Sequence, residues 1–149
     1  MKIRRLTCDD NPDLAINLLQ RFYREGGFDT SDTVIAENVR QMIGIETCAV
    51  LLAEDAGEAA GIATLSMEFG IEYGWSAEMG DLYVRPEWRG KGVSRLLVLA
   101  VEEILRLRGA KGYQVTVTPF AEEHHDLKTF YTNLGFASEG RLILWKSLA

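Results

Sequence analysis

The sequence predicts an α/β fold of the α+β kind, with one mixed sheet covered by helices. Three observations carry that expectation. Apolar residues recur at helical spacing in four stretches and at strand spacing in the rest, interleaved in the order β-α-α-β-β-β-α-β-α-β-β. The chain has 149 residues, the size of one compact domain, and no repeat, low-complexity tract or linker interrupts it. Its hydrophobic fraction is 47% and its charged fraction 26%, and a chain of this length buries roughly 70% of its unfolded surface. A single domain over 1–149 is expected.

The elements follow in order. Lys2 to Leu6 reads as a short strand. Asp9, Asp10 and Asn11 offer helix caps, Pro12 suits a first turn, and Leu14, Ile16, Leu18, Leu19 and Phe22 follow before Gly26-Gly27 ends the run. A second helix begins near Ser31 or Asp32 and stops at Gly44. Cys48 to Ala53 is a continuous apolar run, short enough to be a buried strand. A turn over 54–58 leads to strands at Gly61 to Phe69 and Glu78 to Val84, the latter closed by Pro86. Val93, Leu96, Leu97, Ala100, Ile104 and Leu107 form one helical stripe, ended by Gly109. Tyr113 to Thr118 is β-rich, Glu122 to Leu134 is a short helix, and two last strands are expected around Phe136–Ser138 and Leu142–Leu148.

Composition excludes several classes. Cys8 and Cys48 have no metal-ligand spacing and read as free thiols; no metal site is expected. The first residues lack the apolar stretch of a signal peptide, and no window reaches the ~20 apolar residues of a membrane span. A cytoplasmic protein with no membrane partner is the expectation. With 16 basic and 22 acidic side chains the net charge is −6, which argues against a nucleic-acid surface. The same balance suits a cationic small substrate.

The most informative segment is Arg89-Gly90-Lys91-Gly92-Val93-Ser94, between a strand and an amphipathic helix. First-turn amides lack intrahelical partners and the helix dipole adds positive potential, so this is a place for an anion. Gly90 and Gly92 keep side chains off the backbone, while Arg89, Lys91 and Arg95 add cations. The expected ligand is a phosphate or diphosphate. The segment lacks the spacing of a nucleoside-triphosphatase loop, and Arg95 and Leu96 follow where a dinucleotide motif requires glycine.

This segment resembles the acetyl-CoA signature Arg/Gln-x-x-Gly-x-Gly/Ala of the GNAT family, the Gcn5-related N-acetyltransferases, with Ser94 where glycine or alanine is usual. Asp81-Leu82-Tyr83-Val84-Arg85-Pro86 resembles the strand before that signature, and Phe130-Tyr131-Thr132-Asn133-Leu134-Gly135-Phe136 the family's Phe-Tyr-x-x-x-Gly-Phe segment. The resemblance implies the acyl-CoA N-acyltransferase fold: a mostly antiparallel central sheet, about four flanking helices and splayed central strands. It implies acetyl-CoA as cosubstrate, held at Leu82, Tyr83, Val84, Arg89, Gly90, Lys91, Gly92, Val93, Ser94 and Arg95. The main-chain groups of Leu82 and Val84 would pair with the pantetheine arm.

Acetyl transfer needs a neutral amine, donors for the oxyanion and a proton for the departing thiolate. The resemblance makes Tyr131 the general acid. For the base, Glu78, Asp81 and a water held by Glu72 are the candidates, since Gly80 stands where some relatives carry an acid. Strict alternation puts Glu78 and Asp81 on opposite faces unless a bulge intervenes. His124 occupies the place of an asparagine that bonds the pantetheine in many family members. An acceptor site is expected to draw on the first two helices and the loop from Gly70 to Trp75, with Phe22, Tyr23, Phe28, Tyr73 and Trp75 as walls and Glu72 attracting a cation. The cysteines lie away from both motifs, so direct transfer in a ternary complex is expected. The acceptor is a small amine such as an aminoglycoside, polyamine or amino-acid derivative. The alternatives are a peptide or protein amine, a non-catalytic acyl-CoA-binding module and a nucleotide-phosphate binder. Dimers are common among such proteins, and a homodimer is one expected assembly.

Overall fold

A computed structural model describes residues 1–149. Strand β1 (Lys2–Arg5) leads to helices α1 (Asp13–Glu25) and α2 (Asp32–Ile43). Strands β2 (Cys48–Asp55), β3 (Glu58–Gly70) and β4 (Gly74–Val84) follow, then α3 (Val93–Arg108) and the short β5 (Tyr113–Gln114). Helices α4 (Pro119–His125) and α5 (Leu127–Asn133) close the series. Two compact units result, Met1–Thr116 and Val117–Ala149. No helix is long and apolar enough to cross a membrane.

In the first unit the strands lie in the order β1-β2-β3-β4-β5. All neighbours are antiparallel except β4 and β5, which run parallel. Local chemistry explains most of this. Ser31 caps α2 by accepting from the Val34 N–H. Ala56 and Gly57 both take positive φ, the conformation a two-residue hairpin requires, and so join β2 to β3. Burial does the rest. On one face of the sheet, Ala15, Ile16, Leu18 and Leu19 of α1 and Ile35 and Val39 of α2 pack on Val50, Leu52, Ile62 and Tyr83. α3 packs against the sheet as well, through β3, β4 and β2.

Four expectations change. The buried stripe of α3 is Val93, Leu97, Val98, Val101 and Leu105, while Leu96 and Leu107 face solvent. Enough leucines surround this helix for the apolar pattern to fit more than one rotation. The strand expected over Tyr113 to Thr118 shrinks to Tyr113–Gln114, because β4 pairs with it at two positions only. The single helix over Glu122 to Leu134 is broken by Asp126 at φ 48°, and Glu122 accepts the Lys128 N–H across the break. The last two strands do not form: Leu142, Trp145 and Leu148 are 87%, 91% and 95% exposed. A strand exists through its ladder partner, and within Val117–Ala149 only helices are on offer.

Candidate active site

The segment between β4 and α3 turns once through a 3-10 turn, Pro86–Trp88, and then reaches the glycines. Gly90 and Gly92 hold φ of 74° and 81°, the left-handed region that strains any side-chain-bearing residue. A Cβ at either would meet nothing within 4 Å, so the glycines serve the turn and the space above it is open. No side chain caps α3. Its first bond runs from the Leu96 N–H to the Gly92 carbonyl at 3.1 Å, which leaves the amides of Val93, Ser94 and Arg95 ahead of the ladder. Lys91 Nζ stands 5.2 Å from the centre of the Trp88 ring, and Arg95 is exposed.

The edge of β4 approaches this turn. β4 pairs with β5 at Ala77↔Tyr113 and Glu78↔Gln114, and the strands part beyond. The Arg85 N–H donates to the Ala60 carbonyl at 2.9 Å, which sets the phase of the β3–β4 ladder. Ile62 and Tyr83 therefore form a hydrogen-bonded pair, whereas Leu82 and Val84 aim their backbone groups at the edge β5 has left. From Met79 to Val84 that open edge runs roughly 16 Å, at ~3.3 Å per residue.

Arg89 is tied to its own unit. Its Nε donates to the Val84 carbonyl at 2.8 Å, and Nη2 to Glu25 Oε2 at 3.0 Å. The Tyr83 hydroxyl donates to Glu25 Oε1 at 2.7 Å. Burial, with the Glu25 bond and charge adding to it, pushes the Tyr83 hydroxyl up to about 12. With the Val84 carbonyl engaged, the Val84 N–H and both backbone groups of Leu82 face the open edge.

Further along β4, Thr64 faces Asp81, Leu65 faces Met79 and Ser66 faces Glu78. Gly80 is thus extruded as a bulge, and strict alternation fails at that point. Asp81 Oδ1 accepts from the Tyr23 hydroxyl at 3.0 Å and Oδ2 from Thr64 Oγ1 at 2.5 Å. Burial holds the Asp81 carboxyl above its ordinary range; the Thr64 and Tyr23 bonds oppose this and the Glu78 charge reinforces it. Burial, then the Asp81 charge, raises the Tyr23 hydroxyl in turn. Glu78 Oε1 accepts from Thr116 Oγ1 at 3.3 Å.

The remaining expected residues are dispersed. Glu72 is exposed in the turn between β3 and β4. The aromatic residues expected to wall the acceptor site do not form one cluster. Phe22, Tyr23, Phe28 and Tyr83 pack together, with centroids as close as 4.8 Å. Trp75 instead meets Phe69 at 5.4 Å and carries Arg108 over its face at 4.2 Å. In the second unit, Tyr131 on α5 meets Phe130 and Phe136 edge-on at 5.0 and 5.3 Å. His124 and His125 occupy the last turn of α4. His124 stacks on Phe120 at 4.0 Å.

A family model described as "Acetyltransferase (GNAT) family" matches residues 13–136. The chain belongs to the GNAT acetyltransferase family. An uncharacterized N-acetyltransferase of Escherichia coli K12, YjgM, is 30% identical over 139 residues, which is 90% of this chain and 80% of that protein. Among solved structures, an integron cassette protein from the mobile metagenome of Cole Harbour Salt Marsh superposes with a TM-score of 0.82 at 26% identity. The match covers 99% of this chain and 90% of that one. The aminoglycoside N-acetyltransferase AAC(6')-Iy, solved with CoA, gives 0.83 at 18% identity over 99% and 95% of the two chains.

This GNAT protein is an acetyl-CoA-dependent N-acetyltransferase. Two features of its site had no signal in the sequence. Glu25 looks like an ordinary helix end before Gly26-Gly27, and Thr64 like one residue of an apolar strand. Only the register of β3 on β4 and the close of α1 over Tyr83 bring them in.

Proposed function

We propose that this GNAT enzyme binds the diphosphate of acetyl-CoA at the Arg89–Ser94 turn and acetylates a small amine by direct transfer. The observation that carries the reading is the uncapped start of α3: the amides of Val93, Ser94 and Arg95 precede the helix ladder, and the space beside Gly90 and Gly92 is open. Lys91 and Arg95 supply the cations. Leu82 and the Val84 N–H pair with the pantetheine arm along the open edge of β4.

When bound, acetyl-CoA supplies the acetyl group as a thioester. Glu78, at the closed end of that edge, takes the proton from the acceptor ammonium. The freed nitrogen bonds the acetyl carbon as the carbon–sulfur bond breaks; the Tyr131 hydroxyl gives the sulfur its proton, and the surplus proton of the nitrogen returns through water to the Tyr131 oxygen, leaving a neutral amide and a free thiol. A main-chain N–H of the β4 edge stabilises the oxyanion. Glu72, at the tip of the β3–β4 hairpin, suits attraction of a cationic acceptor better than proton removal. A cationic acceptor, such as the aminoglycoside that the AAC(6')-Iy neighbour's name gives, fits the Glu78 carboxylate, whereas both oxygens of Asp81 are already engaged.

The test is release of free thiol from acetyl-CoA over a panel of aminoglycosides, polyamines, amino-acid derivatives and peptides. Turnover that depends on a small amine is expected. Tight acetyl-CoA binding with no acceptor-dependent release points instead to a non-catalytic module. Turnover confined to peptides moves the acceptor class.

A further inference from the structure

We propose that Glu25 is a positioning residue for the coenzyme turn: it holds Arg89, and through Arg89 it fixes the geometry in which the α3 amides are presented. The proposal rests on the reading that the diphosphate binds at that turn. Glu25 is the last residue of α1, 64 positions before Arg89. Its two oxygens serve different partners. Oε1 accepts from Tyr83, a residue only 4% exposed on β4, and so ties the carboxylate to the sheet. Oε2 accepts from Arg89 Nη2. Arg89 closes the circuit by donating to the Val84 carbonyl and by resting 5.6 Å from the centre of the Tyr83 ring.

Gly90 and Gly92 come immediately afterwards and give the turn conformational freedom. A turn that must be ordered on binding gives up affinity, so a fixed Arg89 counts in the coenzyme's favour. Coulomb's law gives the opposite sign. A carboxylate near an anion site repels a diphosphate, and on that ground alone its removal would tighten binding. The direction of the change therefore separates positioning from charge.

The experiment compares two acetyl donors, acetyl-CoA and S-acetylpantetheine, which shares the thioester arm and lacks the diphosphate. The ratio of their kcat/KM values is measured for the wild type and for Glu25→Gln, which keeps the shape and removes the charge. The ratio is expected to fall about three- to fivefold, as loss of an exposed, hydrogen-bonded ion pair dictates, through a raised KM for acetyl-CoA. General damage to the fold lowers both donors together; a ratio that stays level, or rises, overturns the proposal. A wild type that shows no preference for acetyl-CoA over the shorter donor sinks the diphosphate reading itself, and this proposal with it.

Discussion

Glu78 and Asp81 project from the same face of β4, because Gly80 has no opposite number between Thr64 and Leu65. Their surroundings differ. Both oxygens of Asp81 are engaged, by Tyr23 and Thr64, whereas Glu78 accepts one long bond from Thr116. Glu78 keeps the spare lone pairs that proton removal needs. Glu78→Gln is expected to lower kcat/KM for the acceptor about 100-fold at neutral pH. The deficit should shrink toward the ammonium's own pKa of ~10, where solvent does the same work. A pH–rate profile reads both effects, and a deficit of constant size takes Glu78 out of the proton transfer.

Asp81 makes a prediction about stability. Its carboxyl titrates above the ordinary aspartate value of ~3.9 because folding buries it. Between the unfolded and the folded pKa the native state binds the extra proton, so stability falls as pH rises through that interval. Asp81→Asn cannot titrate. The urea midpoint of the variant should gain on that of the wild type as pH climbs above about 4 and through the folded-state titration. Parallel pH curves for the two proteins would show that Asp81 ionises without cost in the fold.

Gly92→Ala probes the turn. The position sits at φ 81°, where a side chain costs roughly 1–2 kcal/mol, yet the added methyl meets no atom of the protein. Two consequences should separate. Melting should drop by a few degrees, about what that strain implies for a chain of this size. Affinity for acetyl-CoA should fall further, about tenfold, because the methyl shares the space in front of the helix-start amides. Calorimetry against a thermal melt distinguishes them; unchanged affinity places the diphosphate elsewhere.

The parts of this fold that were legible in the sequence are those governed by neighbours in the chain. Ser31 announces α2, Gly92 and Gly109 bracket α3, and the glycine turn with its cations is visible as a string of residues. The site's finer arrangement depends on register. Nothing around Gly80 says that it will be left out of a ladder, since the bulge is decided by how β4 matches β3. Likewise, Arg89 reads as one more cation facing an anion until the end of α1 arrives beside it. The tail illustrates the converse. Leu142 to Leu148 has the composition of a strand, but composition supplies no partner, and the residues stay exposed.

Tyr131 carries the last prediction. It lies on α5, its ring fixed edge-on between Phe130 and Phe136, and the Phe136 N–H returns to the Tyr131 carbonyl at 3.1 Å. Those contacts belong to the ring and the backbone, so Tyr131→Phe keeps them and removes the hydroxyl alone. If that hydroxyl delivers the proton to the departing thiolate, kcat should fall about 100-fold while the Kd for acetyl-CoA stays within twofold or so. An acetyl donor with a more acidic thiol, whose anion leaves without help, should recover most of the loss. Full activity in the variant, or a loss the better leaving group does not repair, would leave Tyr131 as an aromatic packing residue and hand the proton to water.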